Sequence, residues 1–388
     1  MTALLITLII FILYLVFERI AHERRIASVP LRIAVTGTRG KSSVVRMLAS
    51  VLRESGMSVT AKTTGSQARI ILPDGSEEDI RRRGIPSVIE QKSLVKKASA
   101  LGAGCIVAEV MSIHPENHWI ETCRLLKPNI VVITNARRDH TEAMGADENE
   151  IASVLALDIA EDSTVFIPER EIRPAFLGAA EERGSKLVTV KEDTSLSRKD
   201  SASVPSGKEF AGNTGLVHAV AGHLNIDERT VAEGIRKTRY DIGSFTIWRY
   251  TASGRSVYVV NGFAANDPES TRIVFDKAVS ILPSAAKCTG FLNLRSDRGE
   301  RTLQWIDALR AGMFDAFTSL YAAGMHARVV KRRLGNVRIV KDKKPERIME
   351  TLTAGIEDGS VIFGFGNMAG AGKMLVEHWK ETGKEYGI

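Results

Sequence analysis

The sequence predicts an α/β protein, with a doubly wound parallel-sheet domain built around a phosphate-binding loop, a smaller Rossmann-like α/β domain after it, and an apolar helix before both. Three observations predict this. A glycine-rich turn, Gly37-Thr38-Arg39-Gly40-Lys41-Ser42, lies between an apolar run and a segment of helical periodicity. Short β-type runs alternate with helical stretches in two series, the second beginning near Phe245. The 388 residues also exceed what one ordinary hydrophobic core accommodates, so two domains are expected.

At the N-terminus, Ala3 to Phe17 carries no charge and one threonine. Fifteen helical residues rise about 22 Å against a hydrocarbon core of ~30 Å, and Thr2, Ile20 and Ala21 can lengthen the stretch. No basic residue precedes the apolar region and no A-x-A-like site follows it, so an uncleaved anchor is expected rather than a signal peptide. Arg19, Arg24 and Arg25 follow it, which by the positive-inside rule places the bulk of the chain in the cytoplasm.

Arg32 to Thr36 reads as the first strand and Ser43 to Leu52 as the helix after the glycine turn. Ser58 to Ala61 reads as a second strand, with Lys62-Thr63-Thr64-Gly65 as the loop at its end. The polar stretch that follows, with Arg81-Arg82-Arg83, reads as a solvated loop that could meet an acidic substrate or headgroups. Ser87 to Leu101 has helical spacing. Gly104 to Ala108 and Asn129 to Thr134 are apolar runs of the buried-strand type, the first ending at Glu109 and the second leading into Asn135 and Arg137-Arg138-Asp139-His140. From about Glu181 to Lys208 the chain turns polar and reads as a surface excursion, and helical patterns resume from Gly212-Asn213 to about Lys237. The second series has strands at 245–250, 256–260, 288–294, 316–320, 337–340 and 360–365, with helices at 268–280, 302–311, 345–357 and 368–380.

The turn carries the chemistry. Backbone N–H groups at such a turn converge with a helix N-terminus on one point, which suits phosphate oxygens. A lysine adds a mobile cation and a serine hydroxyl can ligate Mg²⁺. The pattern is the compressed form G-x-x-G-K-S, because Val35 stands where the longer form has glycine. In a doubly wound sheet, ligands sit beyond the C-terminal strand ends, and the turn, Glu109 and Asp139-His140 all fall there. Glu109 is placed to be the second Mg²⁺-side ligand, and His140 to ligate a second metal or orient phosphate.

Composition narrows the partners. Lys and Arg number 53 against 46 Asp and Glu, a balance that suits anionic partners. Aromatics are only 6% and no basic tract interleaves with them, which argues against a nucleic-acid platform. Cys105, Cys123 and Cys288 lack metal-ligand spacing and read as reduced core residues.

Gly37 to Ser42, Glu109, Asn135 with Asp139-His140, Gly212-Asn213 and Asn266-Asp267-Pro268 resemble, in order, the motifs of the Mur ligase superfamily. The apolar N-terminus, Lys62-Thr63-Thr64-Gly65, Asn261-Gly262-Phe263-Ala264-Ala265-Asn266-Asp267 and Leu294-Arg295-Ser296-Asp297-Arg298 resemble the ligase subunit of capsule-type poly-γ-glutamate synthases within it. The resemblance implies a membrane anchor over residues 1–25, an ATP-binding domain over 26–243 and a C-terminal ligase domain over 244–388. It implies an ATP- and Mg²⁺-dependent amide ligase that activates a carboxylate as an acyl phosphate and extends a γ-linked glutamate polymer.

By the same resemblance Gly37, Thr38, Arg39, Gly40, Lys41, Ser42 and Ser43 cradle the nucleotide, with Lys41 on the β- and γ-phosphates. Ser42 and Glu109 hold Mg²⁺, and His140 serves a second one. Asn213, Asn266 and Asp267 contact nucleotide, and Arg295, Asp297 and Arg298 join the catalytic set from the second domain. Glutamate, the polymer, the membrane, small integral-membrane and export subunits, and further copies of the chain are the implied partners. The chain departs from the family in having no lysine between Thr141 and Ser185 to carry a metal-bridging carbamate, in having Asn261-Gly262 in place of an acid, and in its Arg39. A membrane-anchored regulatory ATPase of an export complex, or a ligase adding glutamate to a small acceptor, are the competing readings.

Overall fold

The computed structural model describes residues 2–65, 67–82, 84, 86–191, 211–252, 254–283 and 287–386. The chain divides into two units at Arg239/Tyr240.

The first unit opens with α1 (Thr2–Ala27), the one helix among the described residues long and apolar enough to cross a membrane. Its residues 2–17 are exposed, whereas His22 and Ile26 are buried against the domain. The sheet that follows contains β1 (Leu31–Thr36), β2 (Val59–Thr63), β3 (Arg69–Ile71), β4 (Glu77–Asp79), β5 (Cys105–Glu109), β6 (Ile130–Ile133), β7 (Thr164–Pro168) and β8 (Lys186–Val190). Its order is β4-β3-β2-β5-β1-β6-β7-β8, parallel except for the β2-β3-β4 hairpins. β1 lies between β5 and β6, with Val35 level with both Glu109 and Val132.

The helices of this unit are α2 (Lys41–Glu54), α3 (Glu90–Ala100), α4 (Pro115–Trp119), α5 (Thr141–Met144), α6 (Glu148–Leu155), α7 (Pro174–Glu182), α8 (Ala211–His223) and α9 (Glu228–Arg236). α4 continues as a π-helical segment to Leu126. Ile26 and Val29 at the end of α1 join Leu94, Val95, Ile106, Ala108 and Leu126 in one fully packed cluster, so the helix end is part of the core. Each such buried aliphatic side chain contributes roughly 1.5–3 kcal/mol.

The second unit has β9 (Thr246–Ala252), β10 (Arg255–Asn261), β11 (Cys288–Asn293), β12 (Phe317–Ala323), β13 (Val337–Ile339), β14 (Val361–Phe365) and β15 (Lys384–Glu385), ordered β13-β12-β11-β14-β10-β9-β15. β9 runs antiparallel to both of its neighbours, β10 and β15, and the remaining pairs are parallel. α10 (Pro268–Ile281), α11 (Gly299–Arg310), α12 (Ala327–Leu334), α13 (Pro345–Thr353) and α14 (Ala371–Thr382) cover it. Phe275, Phe314, Phe317, Phe363 and Phe365 form a connected aromatic cluster with neighbouring ring centroids 5.2–6.1 Å apart, and Trp305 packs on Phe314 and Phe365.

The two-sheet α/β reading therefore holds, with local corrections. Lys62 and Thr63 belong to β2 rather than to a loop, and both are buried. The polar stretch after Gly65 folds back as β3 and β4, where Arg46 of α2 holds Glu77 at 2.6 Å. β8 lies inside the stretch read as an excursion, whose residues 192–210 are outside the described set, as is Arg83. Cys105 and Cys288 are buried free thiols and Cys123 is half-buried.

Candidate active site

At the end of β1 the chain must turn sharply into α2, and two glycines with φ of 123° and 84° make that possible. A Cβ on Gly37 would collide with Thr134 Oγ1 and Asn135 O, and one on Gly40 would stand 2.7 Å from Asn213 Oδ1. The helix that follows has no side-chain cap and no acidic residue in its first turn. By contrast α6, α9 and α10 are capped by Asp147, Asp227 and Asp267. No side chain caps the first turn of α2, and the helix dipole favours an anion there.

Asn135, directly after β6, holds the turn in shape. Its Oδ1 accepts from Thr38 Oγ1 at 2.7 Å and Arg39 N at 3.0 Å, and its Nδ2 donates to Arg39 O at 2.9 Å. Its backbone oxygen accepts from Thr38 N at 3.0 Å. Lys41 folds back so that its Nζ donates to Gly37 O at 2.6 Å, inside the turn. Ser42 Oγ donates to Glu109 Oε2 at 2.8 Å, and Thr64 N donates to the same oxygen at 2.7 Å. A hydroxyl and a buried carboxylate therefore meet beside the turn, a hard-oxygen pair of the kind Mg²⁺ takes. Among the described residues no three His, Cys, Asp or Glu side chains gather into a complete metal cage.

Arg39 extends to Asp139, Nη2 to Oδ2 at 3.4 Å, and His140 Nε2 lies 4.0 Å from the same oxygen. His140 sits at φ 47° where α5 starts, and its side chain is partly exposed. Asn213, at the start of α8, packs on Gly40. Ser43 lies in the first turn of α2.

Behind the turn lies a polar layer that sequence reasoning did not reach. Lys62 is fully buried with its Nζ 3.5 Å from Glu90 Oε2, and burial pushes its ammonium below the ordinary lysine value against the pull of Glu121 and Glu90. Glu121 accepts from Gln91 Nε2, Met111 N, Ser112 N and Ser112 Oγ, and burial pushes its carboxyl up. Asp158 accepts from Thr36 Oγ1 at 2.5 Å and pairs with His118 Nδ1 at 2.8 Å. Burial lowers the His118 imidazole, but the Asp158 carboxylate outweighs it and the net shift is upward. Long sequence separations, 40 residues for His118 to Asp158, kept this layer from view, and its one local signal was Lys62 beside two threonines.

In the second unit, Asn266, Asn293, Arg295, Arg298, Arg301 and Asn367 line a cleft at the C-terminal ends of β11 and β14. Asn293 Nδ2 ties the β14–α14 turn by donating to Asn367 O at 2.6 Å and Ala369 O at 2.8 Å. Arg295 and Asp297 form a two-point ion pair at 2.8 and 2.5 Å, and that bond holds the exposed Asp297 carboxyl below the usual range. Asp267 uses Oδ1 to cap α10 through Ser270 N at 2.8 Å.

The family model of the Mur ligase middle domain matches residues 35–227, and that of the poly-gamma-glutamate synthase CapB C-terminal domain matches 247–382. PGA synthase CapB of Bacillus subtilis (strain 168) is 30% identical over 371 residues, 93% of each chain. The chain belongs to the CapB family of Mur-type ligases. The capsule biosynthesis protein CapB of Bacillus anthracis is 32% identical over 296 residues, which is 76% of this chain but 63% of that relative. A folylpolyglutamate/dihydrofolate synthase from Yersinia pestis, solved with AMPPNP and a Mn ion, shares the fold with a TM-score of 0.69 at 13% identity, over 94% of this chain and 92% of that one. The family is the one the motifs pointed to.

Proposed function

We propose that this chain is an ATP-dependent amide ligase that activates a glutamate carboxylate and extends poly-γ-glutamate. The observation that carries the proposal is the meeting of Ser42 Oγ and Glu109 Oε2, 2.8 Å apart, beside a glycine turn whose helix N-terminus is uncapped.

In this reading the turn binds the triphosphate through the N–H groups of Gly37 to Ser43. Lys41 leaves Gly37 O for the β- and γ-phosphates. Ser42 and Glu109 would hold Mg²⁺, which when bound would neutralise charge on the phosphates. His140 is assigned to a second cation, and Asn213 to the nucleotide beside Gly40. The γ-phosphoryl group passes to the carboxylate, giving an acyl phosphate and ADP. The incoming glutamate amine adds to the carbonyl carbon, and the tetrahedral intermediate collapses with loss of phosphate. The protein's part is positioning and charge neutralisation. Arg295 and Arg298 supply cationic contacts in the second-unit cleft, with Asp297 orienting Arg295 and with Asn266 and Asp267 at its margin.

We further assign α1 as a single-pass anchor of the cell membrane with the catalytic domains on the cytoplasmic side, from Arg19, Arg24 and Arg25 after the apolar stretch. Membrane and export subunits follow from that placement, since one helix cannot conduct a polymer.

The test is ATP turnover with and without L- or D-glutamate in the presence of hydroxylamine. Glutamate-dependent ADP release with a glutamyl hydroxamate is expected. Turnover that ignores glutamate and yields no hydroxamate would return the chain to a regulatory ATPase.

A further inference from the structure

α1 carries directional information beyond its apolar length. It is one uninterrupted helix, and four contacts fix how it lies on the first unit. Glu18 pairs with Lys92 at 2.7 Å, His22 Nε2 meets Leu125 O at 2.9 Å, Glu23 pairs with Lys127 at 2.7 Å, and Ser28 Oγ donates to Ser99 Oγ at 2.8 Å. Lys92 is in the first turn of α3 and Ser99 in its last, so α1 runs parallel to α3 and antiparallel to the strands it feeds.

The first turn of α3 is also the level of the strand C-terminal ends, because Gln91 Nε2 donates to Glu109 O at 3.2 Å. Glu18 therefore stands level with the rim that holds the glycine turn and Glu109. The 16 residues from Thr2 to Phe17 project past that rim, by about 24 Å at 1.5 Å per residue. Had α1 run the other way, the apolar stretch would leave from the opposite end of the sheet.

The rim end carries matching side chains. Ile89, at the N-cap of α3, is 61% exposed, and Trp119 and Ile120 are 40% and 36% exposed. Trp119 and Ile120 adjoin Glu121, whose carboxylate binds Met111 N and Ser112 N just beyond β5. Arg124 lies 4.8 Å over the Trp119 ring, and Arg19 is exposed on the same end, whereas Arg82 is held by Glu90 at 2.7 Å. Aromatic and cationic groups beside the exit of an apolar helix suit an interface with anionic headgroups.

We propose that the rim of the first unit rests against the headgroups of an anionic bilayer, with Ile89, Trp119 and Ile120 as its apolar contacts and Arg19 and Arg124 as its cationic ones. The phosphate-binding turn then opens toward the membrane rather than away from it, and product leaves the enzyme at the bilayer face. This rests on the anchor assignment for α1.

The two ends of α3 supply the test. Ile89→Cys and Leu101→Cys place an environment-sensitive fluorophore at the rim end and the base end of one helix, at residues 61% and 46% exposed. The full chain, in a Cys123→Ala background, is reconstituted into vesicles of phosphatidylcholine and phosphatidylglycerol carrying a headgroup-attached quencher. Co-flotation with the vesicles, together with quenching several-fold stronger at position 89 than at 101, is expected. Co-flotation with equal or stronger quenching at 101 overturns the orientation and leaves the anchor standing. A chain that does not float overturns both.

Discussion

The rim of the first unit and the cleft of the second are built to opposite standards of order. Around the glycine turn three buried side chains are already paired: Asn135 bonds both Thr38 and Arg39, Glu109 has two donors, and Asp158 has Thr36 and His118. In the cleft, Arg295 and Asp297 pair with each other while 40% and 57% exposed, an arrangement that water can compete with. In the proposed ligase, a site that presents fixed donors to a triphosphate gains from the first standard, because little need reorganise when charge develops. In the same proposal, residues that take up and release a growing chain gain from the second.

This contrast can be broken by substitution. The largest effect is expected at Lys41, whose ammonium folds back into the turn onto Gly37 O. Lys41→Ala should lower kcat by about 10³-fold with an unchanged circular dichroism spectrum and melting temperature; loss of soluble protein would show the lysine to be structural. Asn135→Ala comes next. It strands Thr38 Oγ1 and Arg39 N, so it should destabilise by about 1–3 kcal/mol and weaken ATP binding, both read from one thermal melt series with and without nucleotide. Arg295→Ala should do the reverse. Activity falls about tenfold while melting stays where it was, and a clear drop in melting would place the cleft under the same standard as the turn.

The smallest effect concerns pH. The folded His118 value lies above the free imidazole value of 6.5. Its contribution is therefore fully present below that value and is lost as pH rises through the raised folded one. Wild-type melting should fall by about 2 °C more than that of His118→Gln across this window, and parallel profiles would show that the Asp158 pair does not titrate there.

What the sequence made legible follows from how local each signal is. The turn, its strand and its helix are adjacent in the chain, and the rule that ligands sit at strand C-terminal ends brought Glu109 beside Ser42 across 67 residues. The β3 and β4 hairpin escaped because strands of three residues carry no usable period, and Glu77 and Glu78 mask what pairing there is. Lys62 read as loop because lysine is rare in buried strands; Glu90 and Glu121 accommodate it, and neither is near it in sequence. The helix from Pro115 to Leu126 went unread because its buried face includes His118, Glu121 and Thr122, polar residues satisfied only by distant partners. Arg39, the member of the turn with no account in the sequence, has one in Asp139.

Asn135 also bears on the order of assembly. It stands 96 residues after Arg39, on the far side of the β5 crossover, yet it supplies the hydrogen bonds that shape the nucleotide turn. Closing so long a loop is slow compared with forming a local helix. The hydrogen bonds that shape the turn can therefore close only with β6 beside β1, so the form of this loop is tied to completed sheet registry.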